Sequence, residues 1–311
     1  MIEGDLRLTV GWIGTGRMGS AIAARMLDAG VDLWAYNRTR SKAEPLVEKG
    51  AKIVDSPADL AERDIVFTMV GGPADVLAVT IGEEGVLTRS DARPRMVVDA
   101  TTIDPATSQV LSSRAAELGV DILAAPVSGN PKVAKAGRLT AVVSGPPAAF
   151  EVARPYLDLF GRKVTYVGEG DEARLVKICH NLMLGVVAQT LAEITVLAEA
   201  AGVTRADFLD FLNDSVMGST FTRYKTPAYV NLDYTPTFTW HLLRKDFELG
   251  LASGRQLDVP LPTAAVVHQI VVDGIGQGYG DQDFAALLTK LARGSGRELE
   301  PEGRDVGDGL G

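Results

Sequence analysis

A single cysteine, Cys179, rules out an intramolecular disulfide, and three histidines (His180, His241, His268) give no basis for a multi-histidine metal centre. Neither staple is needed in 311 residues, which are enough for roughly two domains with cores of their own. Scarce cysteine points to a reducing, cytoplasmic setting. Positive charge is also short: 31 Lys and Arg stand against 40 Asp and Glu, a formal net charge of -9. Nucleic-acid phosphates would be repelled over most of such a surface, so an anionic ligand has to be held in a local pocket. No apolar run reaches the roughly 18 residues that a bilayer crossing needs, and Met1 to Asp5 are acidic where a secretory leader is basic. The expectation is a cytoplasmic protein with a small-molecule partner and no membrane or nucleic acid.

What is present is alternation. Short Val- and Ile-rich runs at Leu8 to Ile13, Asp32 to Asn37, Ile65 to Val70, Met96 to Asp99, Ile122 to Val127 and Leu139 to Ser144 are separated by helical stretches. That order predicts an α/β fold, an N-terminal doubly wound parallel sheet over residues 1–167. Beyond Asp171 the pattern becomes helical, which predicts an all-α domain over 168–293, with helices at Arg205 to Asn213, Trp240 to Gln256, Thr263 to Ile275 and Asp281 to Arg293, the last capped by Asp281. The long segment Asp171 to Ala201 is apolar on most faces after Asn181 and reads as buried nearly all round; at about 45 Å as a helix it would bridge the domains or pack against a second subunit. Residues 294–311, charged and glycine-rich, read as a tail without fixed structure.

Gly14-Thr15-Gly16-Arg17-Met18-Gly19 directly follows the first predicted strand and opens a helix. In that context the three glycines are a dinucleotide fingerprint: one for the tight turn, one for close approach of the pyrophosphate, one for helix-on-strand packing. The helix N-terminus offers unpaired N–H groups to the anion. The second strand ends at Asn37, where an NAD site usually carries a carboxylate for the ribose hydroxyls. Arg38-Thr39-Arg40-Ser41-Lys42 instead brings cations and hydroxyls suited to an adenosine 2′-phosphate, Arg38 best of all, so NADP is expected over NAD. The competing reading is a set of ordinary solvated charges opening a helix.

Ser128-Gly129-Asn130-Pro131 pairs an N-cap residue with Pro at the first helical position. The Ser128 hydroxyl and nearby N–H groups suit a carboxylate, although a cap with no ligand explains the same residues. Lys177 and Asn181, four apart on one helix, share a face. Lysine can serve as acid or base if burial and a nearby cation lower its pKa, yet a lysine on a helix is ordinarily a solvated charge.

Taken in order, these motifs resemble the β-hydroxyacid dehydrogenase family, which includes 3-hydroxyisobutyrate dehydrogenases and relatives of 6-phosphogluconate dehydrogenase. The matching pieces are VGWIGTGRMGSAIAARML, the strand ending Met69-Val70, DATTIDP from Asp99, APVSGNPKVAKAGRLT from Ala125, KICHN from Lys177 and KDFELG from Lys245. The resemblance implies a Rossmann domain followed by a helical one, an interdomain active site, and homodimers or homotetramers. It implies that Lys177 is the catalytic acid/base and that Asn181 orients the substrate. Ser128 and Gly129 would hold the substrate carboxylate; Thr102, Met69 and Val70 would line the nicotinamide, with Lys245 reaching over it. The substrate would be a small 3-hydroxy acid or the corresponding semialdehyde or oxoacid.

There are three departures from the family's pattern. Asn130 replaces a glycine and brings an amide to the pocket. Ala173-Arg174 replaces glycine-glutamine ahead of the lysine, and His180 stands where an asparagine is usual. Arg174 or His180 could redirect a substrate group; for His180, packing with a satisfied hydrogen bond is the better reading, and Cys179 reads as a small buried apolar residue. Two alternatives stay open: an imine reductase of the same fold, which generally carries Asp or Tyr in place of Lys177, and a catalytically silent NADPH-binding scaffold.

Overall fold

The computed structural model describes residues 6–309, so the acidic start at Met1 to Asp5 lies outside the described residues, as do Leu310 and Gly311. The chain divides into two compact units, Met1–Lys177 and Ile178–Gly311.

In the first unit β1 (Val10–Ile13) leads into α1 (Arg17–Asp28), followed by β2 (Leu33–Tyr36), β3 (Lys52–Ile53), β4 (Ile65–Thr68), α2 (Pro73–Thr80), β5 (Met96–Asp99), α3 (Pro105–Glu117) and β6 (Asp121–Ala124). Then come β7 (Val127–Ser128), α4 (Pro131–Lys135), β8 (Leu139–Ser144), α5 (Pro147–Leu157), β9 (Gly161–Gly168) and the start of α6 (Glu172–Ala200). Among the described residues nine strands form one sheet, ordered β3-β2-β1-β4-β5-β6-β8-β7, with β9 on β8. The pairs from β3 to β6 are all parallel. Strands β1, β4 and β5 are buried along their whole length, which is why they read as continuous apolar runs. Their core is aromatic: Trp12 stacks on Phe67 with ring centroids 5.6 Å apart, and Phe160 closes the cluster.

Three strands escaped the sequence pattern. β3 and β7 are two residues each. β9 runs for eight residues, but it carries Arg162 and Lys163 and is nowhere fully buried, so it lacks a hydrophobic signature.

The second unit holds most of α6, then α7 (Arg205–Asp214), α8 (Thr220–Asn231), α9 (Trp240–Gln256), α10 (Pro262–Gly276) and α11 (Leu287–Gly294). α8 was not anticipated: Pro227 lies inside it, and its start rests on a Ser219–Thr222 capping box. The last helix begins later than expected. Asp283, rather than Asp281, is the cap, accepting from the Ala285 N–H of a 3-10 turn, Phe284–Ala286, that runs into α11.

α6 corrects two expectations. It is not buried all round: Met183 and Leu197 are 70% and 71% exposed. It also contains an 18-residue window, of mean hydropathy 1.5, that is long and apolar enough to cross a membrane by length and composition. Half of that window is buried inside the protein, where Leu182, Ala188, Leu191 and Ala192 join Leu243 and Phe247 of α9 in one core; a buried core helix passes the same test.

The tail, expected to lack fixed structure, is held in place by charge. Buried Arg205 donates to the Glu300 carbonyl, the Glu302 carboxylate accepts from the Arg205 N–H at 2.6 Å, and Asn231 donates to the Arg304 carbonyl at 2.9 Å. Its lack of apolar periodicity was real, but a guanidinium and a carboxylate do the anchoring.

Asp283 ties the unit together. Its carboxylate receives Lys225 Nζ at 2.5 Å and the Thr237 hydroxyl at 2.7 Å, with both charged side chains buried. Burial alone would raise the Asp283 carboxyl, but Lys225 and Thr237 outweigh it and hold the carboxyl below its ordinary 3.8. The unfolded chain takes up that proton first as pH falls. The stabilisation is therefore complete above the ordinary value and is lost as pH falls through the lower folded one. Lys225→Met should cost about 3–5 kcal/mol at neutral pH in urea unfolding, because it strands a buried carboxylate. The gap between wild type and variant should narrow as pH drops below about 4.

Candidate functional site

The glycine turn sits at the carboxyl end of β1, where the strand order reverses between β1 and β4. Such a switch point is where doubly wound sheets place ligands. Gly14 has φ +101°, and a Cβ there would collide with the Met69 carbonyl at the end of β4. A Cβ on Gly19 would run into the Gly14 carbonyl, the same oxygen that accepts from Trp12 Nε1 at 2.9 Å. A Cβ on Gly16 would meet nothing within 4 Å. The three glycines thus differ as the fingerprint requires: one turns, one packs, and one leaves its backbone open to approach.

The residues present fit a dinucleotide phosphate. α1 follows the N-cap Gly16 with no side-chain cap and no acidic residue in its first turn, so its N-terminus suits an anion. Among the described residues the Thr15 hydroxyl is buried without a hydrogen-bond partner, while the Thr15 N–H donates to Asn37 Oδ1 at 2.9 Å. Asn37 Nδ2 donates to the Thr39 carbonyl at 2.9 Å. Asn37 therefore links the glycine turn to the Arg38–Thr39 segment, with both ends of its amide used inside the protein. Arg38 is exposed and lies 3.3 Å from the Asp75 carboxylate in the first turn of α2, and Arg40 pairs with Asp55. Arg17 and Met18 lie in the first turn of α1.

At the ends of β4 and β5, Met69, Val70 and Thr102 are half-buried. The loops are tied side by side: Val70 N–H donates to Thr101 Oγ1 at 3.1 Å, and the Thr68 hydroxyl to Asp99 Oδ1 at 2.6 Å. Asp104 caps α3 through Thr107; burial would raise its carboxyl, but the Thr107 hydroxyl and backbone N–H groups hold it below the ordinary range. Ser128 is half-buried on β7, and Gly129 has φ +132°, a conformation that demands glycine. Asn130 is buried, and its side chain accepts from the Val133 N–H at 3.0 Å. Its carbonyl oxygen thus serves as the cap, turned to α4.

Lys177 stands half-buried on α6. One turn before it, Arg174 is buried against Asp99 at 2.8 Å, so this departure from the family pattern lies in a protein ion pair. Asn181 is buried in the second unit, its Nδ2 donating to Asp246 Oδ2 at 2.6 Å and its Oδ1 lying 2.9 Å from His180 Nδ1. Lys245 of α9 lies 3.2 Å from Asp246. His180 keeps the hydrogen bond expected of it but is exposed, and Cys179 is exposed too, not the buried apolar residue its type suggested. The pairings of Asp75, Asp99 and Asp246 escaped the sequence reading because nothing in their spacing marks a partner far along the chain.

A glycine turn of this shape at the switch point of a doubly wound sheet is the arrangement of dinucleotide-binding Rossmann domains. Comparison with known proteins is more specific. Residues 9–168 match the NAD binding domain of 6-phosphogluconate dehydrogenase, and residues 171–291 match the domain described as NAD-binding of NADP-dependent 3-hydroxyisobutyrate dehydrogenase. The chain belongs to the β-hydroxyacid dehydrogenase family and is an NAD(P)-dependent dehydrogenase or reductase. It is 32% identical over 90% of its length to 2-(hydroxymethyl)glutarate dehydrogenase of Eubacterium barkeri, covering 94% of that protein. It is 29% identical over 94% of its length to glyoxylate/succinic semialdehyde reductase 2 of Arabidopsis thaliana, covering 81% of it. The crystal structure of 3-hydroxyisobutyrate dehydrogenase from Salmonella typhimurium matches 90% of this chain and 99% of its own, with TM-score 0.82 and 28% identity.

Gly19→Ala tests the packing of the turn. The added methyl forces the Gly14 carbonyl away, at a cost of about 1–3 kcal/mol. NADPH affinity by fluorescence titration should fall about tenfold or more, with the protein still folded by circular dichroism.

Proposed function

We propose that this enzyme moves a hydride between NADPH and a short carboxylic acid bearing an aldehyde or a primary alcohol, with Lys177 as the acid/base. One observation carries the reading. The turn of α6 that bears Lys177 is bonded, through Arg174, to the carboxyl end of β5, the same end of the parallel sheet that presents the glycine turn. Doubly wound sheets bind their ligands at that end, which supports Lys177 as the proton-transfer group.

When bound, the cofactor supplies or accepts the hydride. The glycine turn with the α1 N-terminus would hold its pyrophosphate, Arg38 and Thr39 its adenosine 2′-phosphate, and Met69, Val70 and Thr102 its nicotinamide end. Lys177 Nζ would protonate the carbonyl-derived oxygen in the reductive direction and take that proton back from the alcohol in the oxidative one. Ser128 and the Gly129 N–H would hold the carboxylate. Asn181, fixed by Asp246, would orient the substrate. The substrates for which the relatives above are named support the class: each combines a carboxylate with an aldehyde or a hydroxymethyl group.

Lys177→Ala should leave NADPH binding intact and lower kcat about 10²- to 10⁴-fold, the range of general acid–base catalysis. The assay is NADPH oxidation with succinic semialdehyde, glyoxylate and related aldehyde acids. Full turnover by the variant would refute the assignment. Specificity constants for NADPH and NADH, measured in parallel, test the cofactor preference. Asp75 shares the Arg38 guanidinium that a 2′-phosphate would use. Asp75→Asn should therefore shift the NADPH-to-NADH ratio toward NADPH by about two- to fivefold, the scale of one exposed ion pair.

A further inference from the structure

Arg174 is 3% exposed and Asp99 is fully buried. The guanidinium donates from Nη1 to Asp99 Oδ2 at 2.8 Å and to the Thr101 carbonyl at 3.3 Å, and from Nε to Ser108 Oγ at 2.7 Å. Ser108 in turn donates to Asp171 Oδ1 at 2.6 Å. The other oxygen of Asp99 accepts the Thr68 hydroxyl at 2.6 Å and the Thr101 N–H at 3.1 Å. One ion pair therefore gathers the ends of β4 and β5, the second turn of α3 and the first turn of α6.

Stability is a poor reason for such a pair. Removing two charges from water is expensive, and apolar replacements of buried ion pairs are often as stable or more so. Among the described residues Arg174 Nη2 is buried without an acceptor, so the network does not use every donor of the guanidinium. What a planar guanidinium fork provides is direction: its donors fix the angle as well as the distance of whatever carries them. What Arg174 carries is the helix turn of Lys177, three residues on and on the same face.

We propose that the Arg174–Asp99 pair is a positioning device for Lys177, locking the first turns of α6 against the Thr101–Thr102 loop so that Nζ meets the substrate oxygen in register. The proposal rests on Lys177 being the acid/base. Arg174 itself is a positioning residue and takes no proton.

The test compares Arg174→Met, Arg174→Lys and the double variant Arg174→Met with Asp99→Asn, using steady-state kinetics with NADPH and succinic semialdehyde alongside thermal unfolding. Arg174→Met alone strands a buried carboxylate and should lower the melting temperature; the neutral double variant should recover most of that loss. Its kcat should nevertheless stay down about 10- to 100-fold, the cost of a misplacement near 1 Å, with KM for NADPH held within about threefold. Arg174→Lys, which keeps the charge but not the fork, should fall between. A double variant that recovers both melting temperature and kcat overturns the proposal. Lys177→Ala in the same assay separates the two failures. If it is inactive while the double variant is fully active, only the positioning role is lost; if it is fully active, the acid/base reading itself is wrong.

Discussion

Asp99 ends the central strand β5 fully buried, and a carboxylate there must be answered by donors from several directions. They come from β4 through Thr68, from its own loop through Thr101, and from α6 through Arg174. Strand pairing alone would set the spacing of β4 and β5 and leave the loops beyond them loose. The carboxylate extends that order past the last ladder bond, to the Thr101–Thr102 loop and to the helix turn of Lys177.

The glycine turn solves a neighbouring problem by the opposite means. Where Asp99 collects donors, the Gly14–Gly19 turn removes bulk, so that backbone can approach backbone and the α1 N-terminus stays uncapped. Trp12 links the two solutions. Its ring packs in the sheet core against Phe67 while its indole N–H holds the Gly14 carbonyl, so the core that stabilises the sheet also sets the turn. In the helical unit, Lys225–Asp283 and Arg205 with Glu302 do comparable work. Buried charges join segments distant in sequence, including a tail with no apolar pattern of its own.

Local signals were legible where a residue's role is set by its immediate neighbours. The glycine turn, the Asn130–Pro131 helix start and the limits of α9 all depend on contacts within a few residues, and each stands close to where the pattern placed it. β9 and α8 were hidden for the same reason reversed. β9 is a strand because β8 offers it an edge, and α8 contains Pro227, which local propensity counts against a helix. The roles of Arg38, Asn37 and Arg174 were only half visible. Their chemistry was apparent from type and position, but their partners, Asp75, Thr15 and Asp99, lie 22 to 75 residues away.

By itself the sequence determined the class of chemistry: three glycines after an apolar strand admit a dinucleotide, and the order of motifs through Lys177 assigns the family. Those features are local in the chain, and propensity and spacing express them directly. The tertiary structure alone decided which charges are spent inside the protein and which face outward. It put Arg174 in the interior with Asp99, turned Asn130 to its own helix and left Cys179 exposed. Burial and partnership depend on segments that meet only when the chain folds, and no spacing along the chain encodes which carboxylate a given guanidinium will find.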